Sequence, residues 1–224
     1  MTISENLTQI IKNIPSNVKL VAVSKTKPVN DIKEAYDWGQ RLFGENKALE
    51  MRDKYLVLPK DIQWHFIGHL QSNKVKYIVP FVSMIHSVDS LKLLQEIEKE
   101  AKKCNRIVDC LLQISLSDEE TKFGMNKQEA EKLLSSDGYL NMKSVNLCGV
   151  MGIGSITNNK EQTRKEFSFL TQVFLYLKHK YFSNNNEFKE ISMGMSDDFQ
   201  IAIEEGSTVI RIGSTVFGQR NYNI

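Results

Sequence analysis

At 224 residues the chain suits one large domain or two small ones, and 41% hydrophobic with 25% charged residues are ordinary for a soluble globular protein with a sizeable core. A formal net charge of +2, from 29 basic and 27 acidic residues, gives no electrostatic reason to expect nucleic acid or a membrane surface as partner. Three sparse cysteines, no signal-peptide pattern and no apolar run of transmembrane length point to free thiols in a cytoplasmic protein.

Residues 4–14 space Leu7, Ile10, Ile11 and Ile14 for an amphipathic helix, with Ser4 as its N-cap. Residues 20–25, Leu-Val-Ala-Val-Ser-Lys, read as a short apolar strand buried on both faces, as in a parallel sheet. Pro28 and Asn30 punctuate a loop, and residues 31–40 form a helix stopped by Gly39. The alternation then repeats. Strands are expected over residues 41–46, 62–68, 82–88, 108–115, 145–153, 190–195 and 208–217. Helices are expected over residues 47–55, 73–79 and 90–103, from the capping box Asn126/Glu129 through Leu134, from Asn159/Gln162 onward, and over 197–205. Eight strands, each but the last followed by a helix, predict parallel pairing with helices outside. The chain length suits a single (β/α)8 TIM barrel over residues 1–224, preceded by one N-terminal helix; an open doubly wound sheet is the alternative.

Lys25 sits at the C-terminal edge of the first strand, where such folds keep their active sites. A half-buried amine there tends to lose its proton and become a nucleophile toward an aldehyde. The bland reading, a surface lysine after a strand, is the better one on this stretch alone. Ser192-Met-Gly-Met-Ser196 leads into Asp197-Asp198 and a helix, with Ser196 as N-cap; the next unit ends Arg211-Ile-Gly-Ser-Thr215. Ser196, Gly213, Ser214 and Thr215 are a candidate phosphate cradle at the two strand ends where barrels bind phosphate, balanced against plain capping and turn chemistry. Both aspartates would repel a phosphate and are expected to point elsewhere. Arg211, inside an apolar strand, needs a partner. His65 and His69 have no accompanying Cys or Glu, so a zinc site is not indicated. Both read first as locally bonded strand-end groups. Asn46 is read as a ligand donor or helix cap, and Met151 first as core.

These segments together resemble the pyridoxal phosphate homeostasis protein family (YggS/PROSC), which has an alanine-racemase-like barrel. The resemblance rests on Val-Ala-Val-Ser-Lys25-Thr-Lys-Pro, Phe43-Gly-Glu-Asn46, Trp64-His-Phe-Ile-Gly-His-Leu-Gln71-Ser-Asn-Lys74, Ser192-Met-Gly-Met-Ser196-Asp-Asp and Arg211-Ile-Gly-Ser214 through Phe217-Gly, in order from Leu20 to Tyr222. It implies a barrel holding pyridoxal 5′-phosphate (PLP) as a Schiff base on Lys25. Ser196, Gly213 and Ser214 match phosphate contacts, Ser214 standing where relatives often have threonine. Arg211 matches the arginine facing the pyridine nitrogen, and Asn46, His65 and Met151 are weaker carry-overs.

An arginine at that nitrogen disfavours its protonation and makes the ring a poor electron sink. The expectation is a PLP carrier without robust turnover, a monomer that supplies apo-enzymes. A PLP-dependent amino-acid racemase is the alternative, with His65 or Tyr222 as guesses for a second base and no room after Ile224 for the racemase C-terminal domain. A third reading keeps the cradle and makes Lys25 an aldolase-type amine for sugar phosphates; Lys27 and Lys122 are the fallback amines.

Overall fold

The computed structural model describes residues 2–116 and 124–219. Eight parallel strands close in chain order: β1 (Lys19–Val23), β2 (Leu42–Glu45), β3 (Gln63–Phe66), β4 (Met84–Val88), β5 (Val108–Gln113), β6 (Val145–Met151), β7 (Glu190–Ser192) and β8 (Val209–Ile212). Pairing of β1 with β8, from Lys19↔Val209 to Ala22↔Ile212, closes the ring and removes the open-sheet alternative. Closure leaves no strand edge unpaired. The molecule is thus a (β/α)8 barrel.

Helices wrap the outside: α1 (Ile3–Lys12), α2 (Val29–Trp38), α3 (Ala48–Val57), α4 (Leu91–Lys103), α5 (Lys127–Leu134), α6 (Asp137–Leu140), α7 (Lys160–Tyr181), α8 (Phe199–Glu204) and α9 (Ser214–Phe217). Gly39 ends α2 at φ +119°, a left-handed conformation that glycine reaches without a Cβ penalty. The Asn126/Glu129 capping box opens α5 with both reciprocal bonds, and Asn159 accepts from two first-turn N–H groups of α7.

Several expectations are corrected. The cap of α1 is Thr2, not Ser4, because Thr2 and Glu5 make the reciprocal capping box. Residues Ser72–Tyr77 form a 3₁₀ helix, not an α-helix; the tighter coil rises faster per residue, which suits a short connection from β3 to β4. Residues 208–217 are not all strand: Gly213 turns the chain and accepts from the N–H groups of Val216 and Phe217, starting α9. The single turn α6 had no periodic signal.

Two shells of side chains follow from strand alternation. Leu20, Ala22, Ile210 and Ile212 join the large core between sheet and helices. Val21, paired with Arg211, faces the barrel lumen instead. There Met84, Leu111, Cys148 and Met151 make a small apolar cluster of their own.

Candidate functional site

At the C-terminal rim a cavity of about 350 Å³ is lined by Lys25, Asn46, Ser196, Arg211, Gly213 and Ser214. Val23, Ile67, Gly68, Ile153, Met195 and Asp197 complete its wall. The volume lies in the range of small-molecule sites. Elements distant in sequence meet here because the strands are parallel: every C-terminal end points to the same rim.

Lys25 is half-buried, two residues beyond the end of β1 on the face set by Val21 and Val23. On the neighbouring side of the ring, after β7 and β8, two turns border the same cavity with backbone donors. After β7, the N–H groups of Asp198 and Phe199 bond to Met195 O, and among the described residues those of Ser196 and Asp197 have no backbone acceptor. After β8, the N–H groups of Ser214 and Thr215 are in the same position at the start of α9. Ser196 is therefore a turn residue, not a helix cap: α8 starts at Phe199, behind Asp198. Asp198 does point elsewhere, its Oδ1 accepting from Met195 N at 2.6 Å. Asp197, expected to do likewise, borders the cavity.

Arg211 is buried, with neutral partners. Its Nη1 donates to Ser192 Oγ at 2.6 Å and its Nη2 to Gly152 O at 3.0 Å. Burial pushes its guanidinium down to about 10, with Asp198 pulling the other way, so it stays charged at neutral pH. Behind it runs a hydrogen-bonded line through the lumen: Ser192 Oγ to His86 Nδ1 at 2.9 Å, and His86 Nε2 to His65 Nδ1 at 2.9 Å. Burial drives His65 down to about 3 and His86 well below its usual value, so both rings are neutral. Arginine only donates, so Ser192 accepts from it. The Ser192 hydroxyl keeps one hydrogen and one lone pair for His86 Nδ1, and the two imidazoles share the His86 Nε2–His65 Nδ1 bond, one ring donating and the other accepting.

His65 and Met151 are not in the cavity wall. His65 is bonded to His86, and Met151 is packed in the lumen cluster. Ile67 and Ile153 line the cavity instead, each two residues further along the same face. A strand's period of two makes this a displacement by one barrel layer. His69 stands apart, its Nδ1 3.4 Å from Asp89 Oδ2. His86 carried no motif signal; its trace was a lone imidazole within an otherwise apolar strand, Met-Ile-His-Ser-Val88. Lys27 donates to three carbonyls, Phe217 O at 2.8 Å, Gly218 O at 3.1 Å and Gln219 O at 3.2 Å. Lys122 and Tyr222 lie outside the described residues. Among the described residues no group of histidine, cysteine and carboxylate side chains could hold a metal ion. No helix there is long and apolar enough to cross a membrane.

Residues 1–221 match the family model of the alanine racemase N-terminal domain. A pyridoxal phosphate homeostasis protein of Aquifex aeolicus is 40% identical over 205 residues, 91% of this chain and 88% of the relative. The chain belongs to this family. A human pyridoxal phosphate homeostasis protein is 38% identical over 241 residues, spanning 99% of this chain and 85% of that one. PipY of Synechococcus elongatus PCC7942, solved with PLP bound, superposes with a TM-score of 0.86 at 32% identity, covering 97% of this chain and 100% of that one. An alanine racemase of Clostridium difficile shares the fold at a TM-score of 0.75 and 16% identity, covering 99% of this chain and 61% of that one.

Proposed function

We propose that this family member holds PLP in the rim cavity, with Lys25 as its covalent anchor, and serves PLP homeostasis without robust catalytic turnover. The observation that carries the reading is one wall that gathers an amine, backbone N–H groups that among the described residues have no backbone acceptor, and a guanidinium whose hydrogen-bond partners there are neutral. These match the aldehyde, phosphate and ring nitrogen of PLP in kind. Asn46 adds a buried side-chain oxygen with no hydrogen-bond partner beside the same cavity. When bound, PLP supplies an electrophilic aldehyde and an electron-withdrawing ring.

Lys25 would be the residue that anchors the group, its neutral amine being the nucleophile that an aldehyde requires. Ser196, Gly213 and Ser214 hold the phosphate, where fixed N–H donors and close backbone approach favour an anion. Arg211 would face the ring nitrogen, where its charge would disfavour a proton and weaken carbanion chemistry. The protein would act as a single barrel domain over residues 1–224, a cytoplasmic monomer that passes PLP to apo-enzymes. The free thiols Cys104, Cys110 and Cys148 fit a reducing compartment.

The test is a visible spectrum with and without PLP, then borohydride reduction and peptide mapping. The reading expects yellow protein with the label on Lys25, and no label in Lys25→Ala. Protein that ignores added PLP overturns it. Amino-acid racemisation at ordinary enzyme rates would replace homeostasis with catalysis.

A further inference from the structure

The backbone on both sides of Lys25 is held by one buried ion cluster. Lys54, on α3, is 8% exposed at its side chain, and Glu45, at the end of β2, is fully buried. Lys54 Nζ donates to Ser24 O at 2.8 Å, Glu45 Oε1 at 2.7 Å and Glu50 Oε1 at 2.8 Å, using all three of its hydrogens. Ser24 Oγ donates to Glu45 Oε1 at 2.6 Å. Thr26 N donates to Glu50 Oε1 at 2.6 Å. The residue before Lys25 thus bonds the cluster through its carbonyl and hydroxyl, and the residue after it through its N–H.

That second bond falls where the backbone is unfavourable. Thr26 has φ +66°, a left-handed conformation that a β-branched residue rarely adopts. Such a conformation persists when its surroundings over-determine it. Two contacts do so here: the Lys27 N–H donates to Ser24 O at 3.0 Å and closes the turn, and the charge-assisted bond from Thr26 N to Glu50 ties the turn to α3. The turn at 25–26 ends the extended run of β1 and sets the direction in which Lys25 leaves the sheet.

We propose that Lys54, Glu45 and Glu50 are positioning residues for Lys25: they hold its flanking peptides in the strained turn that presents its amine to the cavity. None of the three lines the cavity wall, so their effect runs through the backbone. The proposal rests on Lys25 being the PLP anchor.

The test separates attachment from binding. Two ligands are compared, PLP and pyridoxine 5′-phosphate, which keeps ring and phosphate but has no aldehyde. Glu50→Ala is expected to bind pyridoxine 5′-phosphate within about twofold of the parent while the rate of borohydride-trappable attachment at Lys25 falls at least tenfold. Thr26→Gly, which adopts positive φ freely, should recover most of that rate when combined with Glu50→Ala. Equal attachment rates in parent and Glu50→Ala overturn the proposal. So does a parallel loss of both ligands that Thr26→Gly does not rescue. A parent that binds PLP with no label on Lys25 overturns the functional reading as well, and is told apart by the parent alone.

Discussion

Arg211 and Lys54 are both buried cations near the barrel rim, but their partners differ in kind. Lys54 has two carboxylates and a carbonyl on its three hydrogens. Arg211 has a hydroxyl and a carbonyl; among the described residues no carboxylate accepts from it, and Asp198 acts on it only at a distance. The Lys54 charge is cancelled on the spot and holds backbone. The Arg211 charge is left over and faces a cavity. Burying a charge without an opposite partner is costly, so a fold that does so beside a cavity leaves room for a ligand to offset it.

The largest effect that sharpens this contrast is on the cancelled cation. Lys54→Met strands Glu45 in the core, and breaking a buried pair from one side costs about 3–5 kcal/mol. Urea unfolding at pH 7 should show that loss. Burial already raises the Glu45 carboxyl, against the pull of Lys54 and Ser24. Without Lys54 it rises further, so the variant should regain stability as pH falls and Glu45 takes up a proton. A loss that is flat with pH would break the comparison.

Next comes the neutral line behind Arg211. His65 is held at about 3, below the ordinary 6.5. The unfolded chain therefore binds more protons, and the stabilisation present above pH 6.5 is lost as pH falls toward 3. Between pH 6.5 and 5 this is roughly 2 kcal/mol at about 1.4 kcal/mol per pH unit. Replacing His65 by Gln should flatten the acid limb of the stability profile by that amount; an unchanged limb means the ring is charged in the fold.

The cation with neutral partners should respond the other way from Lys54. Arg211→Met is expected to change unfolding stability by less than about 1 kcal/mol, since it removes an uncompensated buried charge along with its bonds. PLP affinity should fall tenfold or more, about 1.4 kcal/mol. A large stability loss with intact PLP affinity would make Arg211 scaffold. The smallest effect is at the cradle. Ser214→Ala removes one hydroxyl from an exposed turn and should weaken PLP binding by a few-fold, about 0.5–1 kcal/mol, with stability unchanged. Equilibrium titration by the visible band measures both.

Much of this was legible in the residues. Alternating apolar runs and capping signals set the eight units, and their regularity implied parallel pairing. Lys25 and the glycine-bearing turns after β7 and β8 stood out because strand ends of a barrel share a rim. What failed, failed locally. Ser4 and Ser196 are good caps by type, but Thr2 and Glu5 reciprocate in one case, and Ser196 lies in a turn that ends before α8 in the other. His65 and Met151 were read from their own segments as locally bonded and core, which they are. The resemblance placed them one layer too high, at the cavity, because alternation tells which face a residue takes, not how far along the lumen the cavity floor lies.

Periodic hydrophobicity acts over a few residues, so the order of elements, the buried faces and the ends of strands follow from chain-local chemistry. Depth inside the barrel, the His86 link between His65 and Ser192, and the convergence of Lys54, Glu45 and Glu50 on the peptides around Lys25 do not. They depend on strand stagger and on which side chains from separate units come within hydrogen-bond distance, and that is set when the ring closes.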